Sequence, residues 1–422
     1  MSTQALNTAP RSGCPDLRLR AAILQSFSQP FPEECLRLRY LSSSEWQRLL
    51  RWLDTSGLAL YFLHRLTELR LTCLLPSPVL ARLERNLADN SERTRSLMDE
   101  SCSIQFDFQS AGLSYAVLKG FSLCPESTPK PELRSQLDLD FLIAERCAPT
   151  ARQILEQRGY RLRAISGRTW EFKTTGPPAR SIADLYKPSA LRCVELHLEF
   201  DHTVPSLLAR TEWRDFHGIS MPVLSGPDLF LGQALHLFKH ISSEFWRTAH
   251  LLELYRHIDA RLHDAGFWRS VRSIAGEAPR TLFALGVDTQ LIACTISDLL
   301  PEDLVCWTVD RLPPRARRWV ETHGCNSAFS NFPGSKLYLL LQRELESAGV
   351  PRKRSLRQSL LPLRLPPPIA LAPAKESLFA RIRRWRAQFR FVLFRLRFHI
   401  VEGVRYFRES LRWRRLADKP AS

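Results

Sequence analysis

The residues best suited to chemistry lie in a short apolar run that carries two carboxylates. In the run QLDLDFLI, Asp138 and Asp140 stand two positions apart among strand-forming residues. Because alternate residues of a strand share a face, the two carboxylates should point together while Leu137, Leu139 and Phe141 point into a core. Such a pair needs a compensating cation, and Mg²⁺ commonly takes one or two carboxylates plus substrate phosphates. The pattern indicates metal-assisted phosphoryl chemistry, unless it is a D-x-D string on a solvated strand end.

A second group of residues precedes this run. The segment Tyr115-Ala-Val-Leu-Lys-Gly is a short strand that leads directly into Lys119 and Gly120, and Arg134 stands four positions before Asp138. A glycine at the end of a strand lets backbone N–H groups approach a phosphate, and the two cationic side chains can supply counter-charge. Their order along the chain favours a phosphate site beside the carboxylates.

A third carboxylate follows further along the chain. The segment Cys193-Val-Glu-Leu-His-Leu alternates like a strand, which places Glu195 and His197 on one face. Glu195 can therefore join the aspartate pair. His197 has two interpretations that stay open here: a general base or acceptor-orienting group, or a structural partner of a carboxylate.

A downstream helix carries a third set of polar residues. His236, Lys239 and His240 fall on neighbouring positions of one helical turn, where they can contact a phosphate or an acceptor or form a mixed surface. No carboxylate or cysteine stands at i+3 or i+4, which argues against a zinc site on this helix.

These motifs together resemble those of a known family, the bacterial nucleotidyltransferase-like proteins of the polymerase-beta-type nucleotidyltransferase superfamily. The resemblance rests on L-K-G, then R-x-x-x-D-h-D-h-L-h, then h-[D/E]-L-H, and it extends from Trp46 to Ile258. Further matches are Leu60-Tyr61 in a helical unit and the H-x-x-K-H pattern. The matching segments are Leu118–Gly120, Arg134–Ile143, Val194–His197 and His236–His240.

The resemblance implies Mg²⁺-assisted transfer of a nucleoside monophosphate from a nucleoside triphosphate (NTP) to an acceptor hydroxyl, phosphate or amine, with release of pyrophosphate. It implies one or two Mg²⁺ ions, with Glu195 also helping to activate the nucleophile. The residues it assigns are Asp138, Asp140 and Glu195 as catalytic metal ligands, Lys119, Gly120 and Arg134 for the nucleotide, and His197, Lys239 and His240 for the acceptor or a phosphate.

Three positions depart from the family pattern. Glu195 stands where aspartate is more common, Leu137 replaces a small residue, and Lys119-Gly120 replaces a Gly-Ser pair. The extra methylene of glutamate moves its carboxylate by about one bond length, which matters to catalytic geometry. An alternative is therefore an inactive protein that keeps the fold and acts as a binding module.

The periodicity of the chain predicts an α+β or α/β fold, with a small mixed-sheet core between two helical units. Strand-like runs at 114–118, 137–143, 169–173 and 192–200 form the core, with a helix from Pro149 to Arg158 that ends at Gly159. The expected segments are a disordered N-terminus (1–16), a helical unit (17–112), the nucleotidyltransferase core (113–202), a helical unit (203–350), a Pro-rich linker without a regular element (351–375) and a basic helical tail (376–422).

Composition limits the location and the partners. The 422 residues carry a net charge of +17, which favours polyanionic partners. The absence of a long apolar run and of a secretory pattern predicts a cytoplasmic protein, at most peripheral at the inner membrane face. Ten cysteines without a C-x-x-C pair predict buried free thiols.

The tail has its own pattern, since residues 376–416 hold twelve arginines and three acids. We expect one apolar stripe to dock on the protein core and the opposite face to meet an anionic membrane or a partner protein. Sequence-specific DNA binding is not expected, because no recognition motif occurs, although a nucleic-acid-binding module remains an alternative. The stripe is Ile382, Trp385, Phe389, Val392, Leu393, Leu396 and Ile400; the opposite face is Arg383, Arg390, Arg395, Arg397, Phe391, Phe394 and Phe398.

Overall fold

The computed structural model has an α+β fold, a mixed seven-stranded sheet surrounded by helices, as the sequence predicts. It describes residues 15–28, 30–176, 184–189, 191–200, 206–331, 333–350, 355–360 and 377–417. Most of the predicted N-terminal disorder lies outside these residues. Pro15 and Asp16, which were included in it, instead begin a helix.

The first part of the chain is helical because its apolar residues recur every three or four positions. Ser42 and Glu45 form a reciprocal capping box at the start of α2, and Gly57 ends that helix at φ +78°. The helices are α1 (Pro15–Gln25), α2 (Ser43–Ser56), α3 (Ala59–Glu68) and α4 (Ser77–Ser110), with a 3₁₀ helix at Glu33–Tyr40.

The sheet has the strand order β3-β4-β5-β2-β1-β7-β6. Strand β2 pairs parallel with β5 and antiparallel with β1, so the three strands that carry the candidate residues lie side by side. The four predicted strands are confirmed. The bounds are β1 (Tyr115–Leu118), β2 (Leu139–Ala144), β3 (Arg161–Ser166), β4 (Thr169–Lys173), β5 (Cys193–Glu199), β6 (Thr211–Phe216) and β7 (Ile219–Leu224).

The boundary predicted for the core at residue 202 is wrong, because the sheet continues through β6 and β7. These strands form a hairpin around His217 and Gly218, both at positive φ, and β7 adds to the sheet in parallel with β1. Strand β3 was also missed. It is an edge strand with mostly exposed side chains, so it lacks the apolar alternation that identifies a half-buried strand.

The second helical part follows β7. The predicted helix before Gly159 is confirmed as α5 (Ala148–Gln157), and Gly159 has φ +85°. Two π-helical turns, Val305–Val309 and Val320–Gly324, continue short helices of this part. The remaining helices are α6 (Gly226–Ile241), α7 (Ala249–Ala260), α8 (Ala265–Ala275), α9 (Pro279–Thr295), α10 (Glu302–Leu304), α11 (Pro314–Trp319), α12 (Cys325–Ala328), α13 (Tyr338–Ser347), α14 (Leu356–Leu360) and α15 (Leu378–Ala417).

Two hydrophobic cores hold these elements together. The larger core joins both helical parts, for example Phe62 of α3 with Phe238 of α6. The second core lies under the sheet and includes Phe141 of β2 and Phe108 of α4. Helix α4 contributes Leu83 to the first core and Phe108 to the second, so it ties the sheet to the helices.

The Pro-rich segment 351–375 contains one regular element, contrary to expectation. Helix α14 forms there, and Leu360 at its end is buried. The Lys336 ammonium donates to the carbonyl oxygens of Ser359 and Leu360, each at 2.7 Å, which holds this helix end against the core. The rest of the segment, apart from residue 355, lies outside the described residues.

Helix α15 docks through a different face from the predicted one. Trp385 and Phe389 of the predicted docking stripe are each 63% exposed. The face that meets the protein instead carries Arg395, which pairs with Glu244, and the buried Tyr406. No helix among the described residues combines the length and the apolar character needed to cross a membrane.

The described cysteines are free, as predicted, but they are not uniformly buried. Cys35 and Cys124 are buried, whereas Cys73 and Cys306 are exposed. Apolar neighbours in sequence did not imply burial at Cys73, because it lies in a single 3₁₀ turn on the surface between two helices.

Candidate active site

Three adjacent strands position the candidate residues. Asp140 lies opposite Glu195 in the parallel pairing of β2 with β5, and opposite Leu118 of β1. Phe141 points into the core beneath the sheet, which leaves Asp140 on the opposite face. The sheet therefore brings residues far apart in sequence to one edge of the same surface.

Asp138 lies just before β2, and this changes one prediction. Because the strand begins only at Leu139, the alternation does not extend back to Leu137. Leu137 is 48% exposed instead of pointing into the core. Leu139 and Phe141 are buried as expected.

Asp140 is a buried carboxylate, and two nitrogen atoms, one from a lysine and one from a histidine, contact the same carboxylate oxygen. Lys119 Nζ lies 2.8 Å and His197 Nε2 lies 2.9 Å from Asp140 Oδ1. The same histidine nitrogen is 3.4 Å from Glu195 Oε2, and its Nδ1 is 3.2 Å from the Thr169 hydroxyl. His197 is thus held between two carboxylates, which matches its interpretation as an orienting partner.

The two aspartates have opposite protonation tendencies. Burial would raise the pKa of Asp140, but hydrogen bonds from His197 and Lys119 outweigh it and lower that pKa. Burial raises the pKa of Asp138, and the neighbouring charge of Asp140 raises it further. Asp140 is therefore the ionised member, while Asp138 holds a proton more tightly than an ordinary aspartate.

The pKa of His197 reflects the same cluster. Burial alone would lower it, but hydrogen bonds to Asp140 and Glu195 outweigh this effect, so the net shift is upward. A protonated imidazole donates well to carboxylates. His197 consequently stabilises the charge of the acidic residues.

The Lys119-Gly120 turn needs an unusual backbone. Lys119 has φ +53° and Gly120 has φ +48°, a region that glycine enters without steric cost. A Cβ on Gly120 would come within 2.4 Å of the Gln136 side-chain nitrogen. That same nitrogen donates to the Asp138 carbonyl at 2.7 Å. Gly120 thus allows the turn to pack against the residue that fixes the backbone of Asp138.

Arg134 is engaged inside the protein. Its Nε donates to Glu253 Oε1 at 3.0 Å, and the Tyr61 hydroxyl donates to the same oxygen at 3.1 Å. Burial would lower the pKa of Arg134, but the charge of Glu253 outweighs it and raises that pKa. The predicted contact of Arg134 with a triphosphate stays a prediction, and Glu253 is a partner that the sequence did not indicate.

Two groups of side chains among the described residues could hold a metal ion. In the first, ligand atoms of Asp140, Glu195 and His197 lie within 4.8 Å of one another. Asp138 is outside this group, although the charges of Asp140 and Glu195 both raise its pKa. The second group is His236, His240 and His250, again within 4.8 Å. Lys239 is exposed on α6.

His250 and Glu253 were missed because they come from α7, beyond the turn that follows α6. A signal was present in the sequence: a third histidine follows the H-x-x-x-H pair by ten positions, which leaves enough chain for a turn that brings it back beside the pair. Glu253 carried no such signal, since its partners Arg134 and Tyr61 lie far away in sequence.

Comparisons with known proteins give one family match. The model of a family described as uncharacterised nucleotidyltransferase matches residues 42–286. A solved structure of an antigenic nucleotidyltransferase-like protein from Paracoccidioides brasiliensis is 13% identical, covers 49% of this chain and 95% of its own, and has a TM-score of 0.30. No curated protein matches the chain.

Proposed function

The chain belongs to the family of uncharacterised nucleotidyltransferases, and on this premise we propose that it transfers a nucleoside monophosphate from an NTP to an acceptor, with release of pyrophosphate. The L-K-G and D-h-D motifs support a place in the polymerase-beta-type superfamily and a bacterial origin. The observation that carries the proposal is the facing pair of Asp140 and Glu195 on parallel strands, with Lys119 beside them.

The donor set suits Mg²⁺. Asp138, Asp140 and Glu195 offer hard carboxylate oxygens. Burial and the neighbouring charge of Asp140 both raise the pKa of Asp138, so a bound cation would favour its ionised form. One or two bound Mg²⁺ ions would neutralise charge that develops on the transferring phosphoryl group.

Lys119 has a role that changes when the nucleotide binds. In this structure its ammonium neutralises Asp140, and 31% of its side chain is exposed. A triphosphate carries more negative charge than one carboxylate, so Lys119 can turn from Asp140 toward the phosphates, and Asp140 would then be available to hold a metal ion. The positive-φ turn at Gly120 keeps this lysine at the strand end.

Glu195 and His197 complete the arrangement. Glu195 stands opposite Asp140, so its longer side chain reaches the same surface. We assign it to the metal and to activation of the nucleophile. His197 bonds both carboxylates and therefore orients them. His197, Lys239 and His240 also remain candidates for contact with the acceptor.

Label transfer tests the function. The intact chain is incubated with Mg²⁺ and each α-³²P-labelled NTP across fractionated acceptors, beside the Asp138→Asn/Asp140→Asn variant. We expect Mg²⁺-dependent labelling of one acceptor fraction and a loss of at least about a hundredfold in the variant, because electrostatic stabilisation of this kind is a large part of phosphoryl transfer.

A charge-matched control separates chemistry from net charge. Glu212 and Asp215 lie exposed on β6, so Glu212→Gln/Asp215→Asn removes the same two charges and should retain full transfer. Equal labelling by all three proteins would contradict the assignment of the aspartates. No labelling by any of them would favour the alternative of an inactive, fold-retaining binding module.

A second proposal concerns helix α15 and rests on its exposed apolar stripe. Phe379 is 81% exposed and Trp385 is 63% exposed, and the stripe continues to Leu411. Arginines such as Arg383 and Arg390 lie exposed between these residues. An amphipathic basic helix with aromatic residues is suited to an anionic membrane surface. We infer that the protein is cytoplasmic and that α15 attaches it peripherally to anionic lipid at the inner membrane face.

A further inference from the structure

Three histidines converge at the contact between α6 and α7. His236 and His240 stand four residues apart on α6, and His250 is the second residue of α7. The ring centroids are 4.6 Å apart for His236 and His240, and 4.9 Å apart for each of these with His250. All three side chains are half-buried.

Hydrogen bonds orient two of these rings. His240 Nδ1 lies 2.7 Å from the carbonyl oxygen of Phe245, and His250 Nδ1 lies 3.4 Å from Glu253 Oε2. Carbonyl and carboxylate oxygens only accept, so both Nδ1 atoms carry protons. In a neutral ring the lone pair is then on Nε2. Metal-bound histidines in proteins are held by the same kind of second partner.

We propose that His236, His240 and His250 form a binding site for one Zn²⁺-class transition-metal ion, ligated by Nε2 of His240 and His250 and by one ring nitrogen of His236. This site is distinct from the carboxylate group around Asp140, and it does not depend on nucleotidyl transfer. Glu253 bonds both His250 and Arg134, and the charges of Asp138 and Asp140 act on Arg134 through space.

The geometry is close to that of a three-histidine site. At Zn–N distances of about 2.0–2.1 Å, tetrahedral ligand nitrogens are roughly 3.3 Å apart. One ring nitrogen of each histidine lies within 4.8 Å of one ring nitrogen of each of the other two, so small side-chain rotations can bring three nitrogens to an ion. Two of the ligands share one helix at i and i+4, the spacing that many zinc-binding helices use.

The surroundings of the cluster favour uncharged imidazoles. Burial lowers the pKa of His236 and of His240, and it lowers the pKa of His250 to about 4. Three uncharged imidazoles offer the form that binds metal. Lys119, Arg134, Arg247 and Lys239 place positive charge around the cluster, and the Glu253 carboxylate beside His250 opposes it.

The ligand type distinguishes this ion from Mg²⁺. Imidazole nitrogen suits Zn²⁺, Co²⁺ and Ni²⁺, whereas Mg²⁺ prefers oxygen. Three protein ligands with partial exposure leave a fourth position for water or for an oxygen of a ligand, as in catalytic zinc sites. The predicted stoichiometry is one transition-metal ion per chain.

Metal titration of the full chain tests the site. The chelator-stripped protein is titrated with Co²⁺ and its visible absorption is recorded; Zn²⁺ then displaces Co²⁺ in competition with a chromophoric chelator. We expect one equivalent of ion with a tetrahedral Co²⁺ spectrum, and at least about a hundredfold weaker Zn²⁺ binding for His236→Gln and for His240→Gln.

Two further variants make the outcome decisive. His263→Gln removes an exposed histidine elsewhere and should bind Zn²⁺ like the native chain. Asp140→Asn should also retain the ion, so a failure of the nucleotidyl-transfer proposal leaves this result unaffected. Stoichiometric binding that survives His236→Gln/His240→Gln, or that disappears with Asp140→Asn, would overturn the proposal, as would the absence of binding.

Discussion

Asp140 shows how one buried residue acquires its properties from several strands. Its carboxylate is only 4% exposed, yet Lys119 and His197 keep its pKa low. Neither partner is near it in sequence. The residue type and the i, i+2 spacing could be read from the chain, and so could the approach of Glu195 on a second strand. The specific contacts depend on strand register, which sequence pattern alone does not provide.

A second buried aspartate leads to a prediction about stability. Asp288 on α9 is fully buried, neither carboxylate oxygen has a hydrogen-bond partner among the described residues, and burial raises its pKa well above the ordinary value. At pH values between the unfolded-state pKa and the folded-state pKa, Asp288 therefore keeps its proton in the folded state but has lost it in the unfolded state. The stability falls as the pH rises from the unfolded pKa through the folded one.

We expect Asp288→Asn to remove this pH dependence. The free energy of unfolding, measured by urea denaturation, should match the native chain near pH 4 and exceed it by at least about 1 kcal/mol at pH 8. Asp215→Asn, at an exposed position, is the control and should follow the native curve. If the difference in the free energy of unfolding between the two proteins were the same at pH 8 as at pH 4, the account of Asp288 as a buried carboxyl without a partner would be contradicted.

At the scale of elements, the sequence predicted inner strands of the sheet but not the strands at its edges. Strands β1, β2, β4 and β5 alternate clearly or carry apolar runs, so their positions were predicted. Strand β3 is mostly exposed, and β6 also has several exposed residues, Trp213 among them, so neither presented one apolar face. The His217-Gly218 turn was the available signal for the last hairpin, since positive φ at two central residues is typical of tight hairpins.

The turn after β1 supports a prediction with an internal control. Gly112→Ala and Gly120→Ala both place alanine at positive φ, which costs about 1–2 kcal/mol of stability. Only Gly120 has a close neighbour, because its Cβ would meet the Gln136 side chain, whereas nothing lies within 4 Å at Gly112. We expect both variants to lose stability but only Gly120→Ala to lose Mg²⁺-dependent NTP affinity, by about tenfold or more.

Thermal denaturation and nucleotide binding separate the two effects. A variant at Gly112 that impaired NTP binding as strongly as the one at Gly120 would show that strain alone matters. The contact between the turn and Gln136 would then have no role in the site.

At the scale of the whole molecule, the packing of the helices was the least predictable feature. The helices before and after the sheet share one core, and α15 meets the protein through residues that are partly polar, such as Arg395 and Tyr406. A hydrophobic stripe alone suggested the opposite face. The docking face was predicted wrongly for a physical reason. Covering an apolar stripe is favourable whether protein or lipid covers it, and the sequence does not distinguish the two.

The exposed stripe predicts membrane binding that aromatic residues control. Vesicles that contain phosphatidylserine should sediment with the protein, and Trp385→Ala/Phe389→Ala should weaken this binding by about tenfold or more, because aromatic side chains bury large apolar areas. Added salt should weaken it as well, since the arginines act through screened charge.

The matched control is Trp213→Ala, because Trp213 and Trp385 are both 63% exposed. This variant, on strand β6, should bind vesicles like the native chain. Equal binding to uncharged phosphatidylcholine vesicles would contradict the role of the arginines. No change in the Trp385→Ala/Phe389→Ala variant would exclude α15 as the lipid-binding element and leave a protein partner as the occupant of the stripe.

The most direct test of the central claim needs no acceptor: the affinity for NTPs, measured by calorimetry with and without Mg²⁺, for the native chain, Asp140→Asn and Asp215→Asn. We predict that Mg²⁺ strengthens binding at least about tenfold in the native chain and in the exposed control, and that Asp140→Asn loses this dependence. NTP binding that is absent, or that depends on Mg²⁺ equally in all three proteins, would contradict a catalytic site built on Asp138, Asp140 and Glu195.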